Sequence, residues 1–455
     1  MRIASVSALS LVLLLCFAFV PIQALHAQRL DPGFGVNGRV LIRFDDIIPD
    51  ADADAVVACA GAAGTLIVAG IAGAQVVSVR LLEDGTLDTR FGIGGRQRFP
   101  LPVEDSGYRE RVGACQADGN LLMAYAARGQ GFDQNLVVMR LLAASGLPDP
   151  QFGTAGHVRL DLDAHATGLE DRETPLGLNV SADGMIDLSG SVAYSQVPQT
   201  RGFIARLRAD GSLARAWVLN ETSMLGFSLT SAMASGGQLY AIGSATAVGE
   251  PSSFILYRMD PATLLVRSMA RGDVPLLRVG RGRWVGEGIF AAVAHRAVAN
   301  APDQPVLLVA RASGVSTLDL PLPERVAGRE GELLHQEHDG DVVPLPDGRV
   351  LATYTVDMSG DGTFGRGLHS VRVRLGARVE DEDVDGGYGR GGRFGVRHDV
   401  GCGADAPLFH RRTTLWNGRV TWVGSAQVPD CRAIGRRGFW IARLQALPMF
   451  ADSFE

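Results

Sequence analysis

Two stretches gather side chains that could hold a metal or move a proton. His335, His338, Asp339 and Asp341 fall within seven residues, and His398 and His410 follow further along. Imidazole nitrogens and carboxylate oxygens are the ligands of catalytic zinc, and the same groups serve as general acids and bases. The plainer reading is a set of polar loop residues that never meet. Two acidic runs suggest calcium instead. In Asp357-Met358-Ser359-Gly360-Asp361-Gly362-Thr363 the oxygens of Asp357, Ser359 and Asp361 alternate as a calcium loop requires, but Leu368 stands where the closing acid belongs. Asp381-Glu382-Asp383-Val384-Asp385-Gly386 begins the same way, with Gly392 at the closing position. Polar loops are the alternative for both. Asp50, Asp52 and Asp54 alternate without a turn glycine and read as a solvated loop.

Several chemistries are excluded. The chain has no lysine. A phosphate loop ending in Gly-Lys, a Schiff base and a Ser-Lys dyad are therefore impossible. The Gly-x-Ser-x-Gly and His-Glu-x-x-His signatures are absent. The tryptophans, 217, 284, 416, 422 and 440, are not periodic, which argues against a quinone cofactor; Trp416, Trp422 and Trp440 read as packing. The net charge of −6 comes with no basic tract, which excludes a nucleic-acid binder. No catalytic residue is assigned and no cofactor is required. Zinc at the histidines and calcium at the acidic loop are the ions those residues would take.

Residues 1–27 read as a secretory signal peptide. Arg2 forms the basic end, residues 4–20 are apolar, and Ala27 precedes a mature start at Gln28. Beyond it no segment is apolar enough to span a membrane. The protein is thus expected outside the cytoplasm, in the periplasm or secreted. Four cysteines then remain: Cys59, Cys115, Cys402 and Cys431. An even number in an exported chain points to disulfides, and 59–115 with 402–431 is the expected pairing among three. No Cys-x-x-Cys spacing supports zinc.

The elements that position these residues follow from a recurring phrase. Leu30-Asp31-Pro32-Gly33-Phe34-Gly35-Val36-Asn37-Gly38 returns around Phe91, Phe152 and Tyr388. The ring positions 34, 91, 152 and 388 are 57, 61 and 236 residues apart, the last being four steps of similar length. A second signal is an apolar run ending in arginine, at Arg80, Arg140, Arg206, Arg258, Arg311, Arg374 and Arg443. A third is a hairpin turn such as Asp118-Gly119, Asp183-Gly184, Asp347-Gly348 or Asn417-Gly418, whose residues supply the positive φ that tight turns need. Each repeat of about 60 residues holds about four short strands, and the mature chain shows no helical period. Four strands repeated seven times predict an all-β fold, a seven-bladed β-propeller over residues 28–445, followed by a tail at 446–455. Residues 39–44 are expected to pair with the last blade as its outer strand and close the ring. An eight-bladed propeller and a linear β-solenoid are the alternatives.

The pattern from Arg80-Leu81 through Asp84-Gly85 and Leu87-Asp88 to Phe91-Gly92 and Gly95 resembles the delta-60 repeat of exported bacterial proteins. The resemblance covers nearly the whole mature chain, although the units around Arg206, Arg258 and Arg311 lack the Phe-Gly phrase. It implies a propeller-like domain at the cell exterior and no catalytic residues. The ending Met449-Phe450-Ala451-Asp452-Ser453-Phe454-Glu455 resembles the terminal tag of many exported bacterial proteins, with Ser453 in place of glycine; a frayed terminus is the alternative.

In such a ring the loops entering the inner strands share one face. His335, His338 and Asp339 from the sixth blade would then stand near His398 and His410 from the seventh. The functional expectation is a non-catalytic module that binds a protein, glycan or small-molecule ligand at the cell exterior. The alternatives are a metal- or His/Asp-dependent hydrolase or lyase with its site at the channel, and a structural envelope or matrix protein.

Overall fold

The structure is a computed structural model. It describes residues 29–446 except 50, 106–109, 129–132, 163–170, 195–198, 220–223, 248–251, 287–288, 297, 299–303, 312–313, 322–339, 359–364, 377–381, 387, 389–392, 398–407 and 428–435. The signal peptide and the tail from 447 lie outside the described residues, as do Cys402 and Cys431.

The described chain is all-β, apart from a single 3-10 turn at Ala62–Gly64. No helix among the described residues is long and apolar enough to cross a membrane. Strands pair with their sequence neighbours as antiparallel meanders. In the first, Ala53–Ala60 pairs with Leu66–Ala72, which pairs with Gln75–Leu81, which pairs with Arg96–Pro100. In the last, Leu408–Trp416, Arg419–Gln427 and Arg437–Arg443 pair in order. Its fourth strand comes from the other end of the chain: Arg39–Ile42 pairs with Arg437–Arg443, Arg39 opposite Ala442. One strand serves two meanders. The first part of Val266–Gly286 pairs with Ser253–Met259 and the second part with Ile289–Arg296.

Seven strands each open a meander: Ala53–Ala60, Arg111–Cys115, Asp171–Val180, Met224–Ser235, the second part of Val266–Gly286, Gly340–Pro344 and Leu408–Trp416. Each touches the next, and Leu408–Trp416 touches Ala53–Ala60. Sheets stack face to face, so strands such as Ala53–Ala60 are buried on both faces, as the runs in the sequence suggest. The core is divided accordingly. Each apolar cluster is shared by two meanders. One joins Val56, Ile67 and Phe91 to Met123 and Tyr125, and another joins Val343 and Leu351 to Trp422 and Trp440. A third joins the first meander to the last, packing Val68 and Val77 with Trp416, Val423 and Phe439. The three tryptophans are thus packing residues. Cys59 and Cys115 form a disulfide between the first two opening strands, with Cα atoms 5.6 Å apart.

The recurring phrase has a physical cause. In the four units with the phrase, an arginine near the end of the third strand lies over the phrase's ring and binds its aspartate; in the sixth meander this is Arg372, two residues before the expected Arg374. Arg80 sits 4.8 Å from the centre of Phe91 and 2.9 Å from Asp88. Arg140 sits 4.9 Å from Phe152 and 2.8 Å from Asp149. Arg372 repeats this with Tyr388 and Asp385. Arg443 does so with Phe34 and Asp31 across the two ends of the chain. The same guanidinium also reaches the next meander. Arg80 donates to the Ala144 carbonyl and Arg140 to that of Ala209. Two of the three units without the phrase keep this bond, from Arg206 to Pro261 and from Arg311 to Gly376, and substitute other acids, Asp187 for Arg206 and Glu382 for Arg311; Arg258 lies instead over the Tyr240 ring. The turn glycine completes the joint. Gly146 has φ +70°, and a Cβ there would lie 2.4 Å from the Phe91 ring. A side chain at this turn would be strained and would push the ring out.

Arg140→Lys keeps the charge and loses the planar fork that serves carboxylate, ring and neighbouring carbonyl together. Urea unfolding should show a loss of about 1–3 kcal/mol, against less than about 0.5 kcal/mol for the exposed Arg98→Gln. Equal stability of the two variants would contradict this role.

Candidate ligand-binding site

Of the residues singled out as metal ligands, His335, His338, Asp339, His398, Ser359 and Asp361 lie outside the described residues, as does the side chain of Asp357. His410 is described, and so is Asp341. Among the described residues, no group of three or more His, Cys, Asp or Glu side chains is arranged to hold a metal ion. His410 is buried, and its Nε2 lies 3.0 Å from the Thr413 hydroxyl. Asp341 is also buried and accepts the Thr413 backbone N–H at 2.7 Å. The sixth and seventh opening strands therefore do bring His410 and Asp341 to one place, in a hydrogen-bonded network.

Arginines dominate that place, and the sequence reading passed over them. Arg283 holds Asp341 with two bonds, at 3.1 and 2.8 Å, and donates to the Thr413 carbonyl at 2.8 Å. Arg281 lies in the same strand, which belongs to the fifth meander. It donates to the Arg411 carbonyl in the last meander and, at 3.1 Å, to the Arg111 carbonyl in the second. Neither strand neighbours its own, so this side chain spans the space that the opening strands enclose. On the far side Asp54 accepts from Arg411 at 3.1 Å, from Arg111 at 3.0 Å and from the Ser425 hydroxyl at 2.7 Å. Arg111 is also bound to Asp105. Asp54, read from sequence as a solvated loop residue, is thus buried at a junction of three meanders.

Two buried carboxylates stay ionised here. Burial alone would raise the Asp54 carboxyl; Arg411, Arg111 and Arg437 outweigh it and bring it to about 2. Burial likewise opposes ionisation of Asp341, and Arg283, Arg412, His410 and the Thr413 N–H hold it below the usual carboxylate range.

β-Bulges aim these side chains. The register slips in the opening strands between Ala55 and Val57, Pro175 and Gly177, Leu229 and Ser231, Val279 and Gly282, and His410 and Arg412. An extra residue turns a side chain away from the strict alternation of a strand. In the fifth and last meanders the residues at the slip are Gly280 with Arg281, and Arg411. A signal for this was present in the sequence. At four bulges a glycine stands in the second strand, at 70, 190, 243 and 424. A Cβ at Gly424 would lie 2.0 Å from the Phe409 carbonyl. Such a strand glycine marks close approach of another backbone.

The comparisons with known proteins concern the fold. A family described as "Domain of unknown function (DUF5122) beta-propeller" matches residues 181–213. That segment holds the Arg206 unit, one of those without the Phe-Gly phrase. No curated protein matches the chain. Among solved structures, a protein of unknown function from Dyadobacter fermentans DSM 18053 is 11% identical at a TM-score of 0.43, covering 76% of this chain and 97% of its own. The N-terminal domain of Nup159 is 8% identical at 0.45, covering 90% and 94%. A neuraminidase-like protein from A/bat/Guatemala/164/2009 is 11% identical at 0.41, covering 73% and 88%. Likenesses this distant carry no inference about activity. The described chain is all-β, and the family model that matches one of its units is a β-propeller.

Acid should undo the Asp54 junction. Its carboxyl titrates at about 2 in the fold against an ordinary 3.8. The stabilisation is complete above that ordinary value and is lost as pH falls through the folded one, about 2 kcal/mol in all. Urea unfolding between pH 5 and 2 should show this slope in the native protein and a flatter one in Asp54→Asn. Identical slopes would contradict the assignment.

Proposed function

We propose that the chain is an exported β-propeller of seven blades, closed by its N-terminal strand, and that it works as a non-catalytic module binding a ligand or surface group. The closed ring is supported by the sharing of apolar clusters between successive meanders, the last with the first. The pairing of Arg39–Ile42 with Arg437–Arg443 and the clamp of Arg443 on Phe34 and Asp31 support it too. Deleting residues 28–44 removes that strand and both clamp partners. The shortened protein should lose cooperative thermal unfolding; unfolding with an unchanged midpoint would contradict closure.

One observation carries the binding role. Arg281, Arg283 and Arg412 keep part of their surface open although they stand inside the wall of opening strands. A ligand entering there meets polar groups held by a rigid ring, which is how such scaffolds recognise partners. The leader sequence and the delta-60 resemblance support an exported protein acting in the periplasm or outside the cell. The reading needs no cofactor.

The mature protein, residues 28–455, should be dialysed, examined by elemental analysis, and offered immobilised bacterial surface glycans and a panel of small metabolites. The expected result is saturable binding that leaves the ligand unchanged. Turnover of a captured ligand, or one equivalent of zinc or manganese per chain, would contradict the non-catalytic reading and favour the hydrolase or lyase.

A further inference from the structure

Arg412 differs from the arginines around it. Arg283 is bound to Asp341, and Arg111 and Arg411 are bound to Asp54. Among the described residues, the guanidinium of Arg412 has no hydrogen bond and no salt bridge. Its position is nevertheless fixed. Arg281 donates to the carbonyl of Arg411 and Arg283 to that of Thr413, so the residues on both sides of Arg412 are pinned from the facing strand. Two guanidinium groups thus grip the backbone on either side of Arg412, and the side chains of all three arginines keep open surface.

Electrostatics make this arrangement costly when empty. Burial, with Arg283 and Arg281 beside it, pushes the Arg412 group down to about 9, and Asp341 only partly offsets them. A part-buried charge with no carboxylate bound to it directly is an unfavourable feature of a fold. It is tolerated where a ligand supplies the missing charge.

We propose that the centre of the ring is a receptor for the oxyanion group of a small ligand, with Arg412 as the bidentate anchor and Arg281 and Arg283 supplying the surrounding positive field. A guanidinium offers two parallel N–H donors, which match the paired oxygens of a carboxylate or a phosphate. Residues of the wall would fix the rest of the ligand. This inference rests on the binding-module reading and names the chemistry of its ligand.

The test is thermal unfolding of the mature protein in sodium acetate, sodium phosphate and sodium sulfate against sodium chloride at one ionic strength. The native protein should show a saturable rise in Tm of about 2 °C or more in at least one oxyanion. Preference for acetate identifies a carboxylate ligand, and preference for phosphate or sulfate a tetrahedral one. Arg412→Met should abolish the rise and Arg412→Lys should weaken it, while Arg98→Gln leaves it unchanged. In chloride alone Arg412→Met should melt at or above the native temperature, because it removes an unpaired charge. A merely structural arginine would do the opposite, so a lower midpoint or failure to fold overturns the proposal. So does an equal response in every oxyanion and in chloride, or an unchanged response in Arg412→Met. Binding of a neutral glycan without any oxyanion response would overturn this inference alone and leave the binding module standing.

Discussion

A guanidinium held between an aromatic face and a carboxylate is the contact on which the architecture depends. At Arg80 and Arg140 the guanidinium has more donors than its carboxylate can use, and the remainder reach the backbone of the next sheet. Arg140 binds Asp149, covers Phe152 and donates to Ala209 with one side chain. A lysine could form one of these contacts at a time. The joint therefore sets the angle between sheets as well as tying them, and its recurrence makes successive sheets equivalent. The same joint operates between Arg443 and Phe34, residues from opposite ends of the chain. That equivalence is what turns a linear series of meanders toward a ring.

The centre follows a different rule. Opening strands crowd together there, and alternation alone would fill the space with small apolar side chains such as Ala55 and Ala58. Register slips interrupt that pattern and turn arginines inward. Most of them are neutralised by carboxylates that burial would otherwise protonate, Asp54 by Arg111 and Arg411, and Asp341 by Arg283. Each pair crosses a boundary between meanders, so the network registers one sheet against another. Among the described residues Arg412 has no hydrogen bond or salt bridge in this network, and part of its surface stays open.

The outer architecture was legible in the sequence because its cause is local. Asp88 and Phe91 lie within a dozen residues of Arg80, and the spacing of the phrase follows from the joint they make. The hairpin turns were legible for the same reason. Residues 39–44 were expected on the last sheet, and the strand Arg39–Ile42 does pair there. The central site was far less legible. Arg281 and Arg411 stand at register slips, and nothing local in either strand says which way an extra residue turns them. Asp54 looked like a loop acid because its partners, Arg111 and Arg411, are far away in sequence. The strand glycines at 70, 190, 243 and 424 carried the missing information, since each marks where a bulge presses against the second strand. Of the histidine cluster, His410 and Asp341 do lie in one hydrogen-bonded network, and His335, His338, Asp339 and His398 fall outside the described residues.

Anomalous diffraction tests the proposed anion seat at Arg412 most directly. Crystals of the mature protein soaked in bromide should show an ordered anomalous peak within contact distance of Arg412, on the side facing Arg281 and Arg283. Bromide confined to the outer surface, with Arg412 bonded to a carboxylate of the protein itself, would contradict the account.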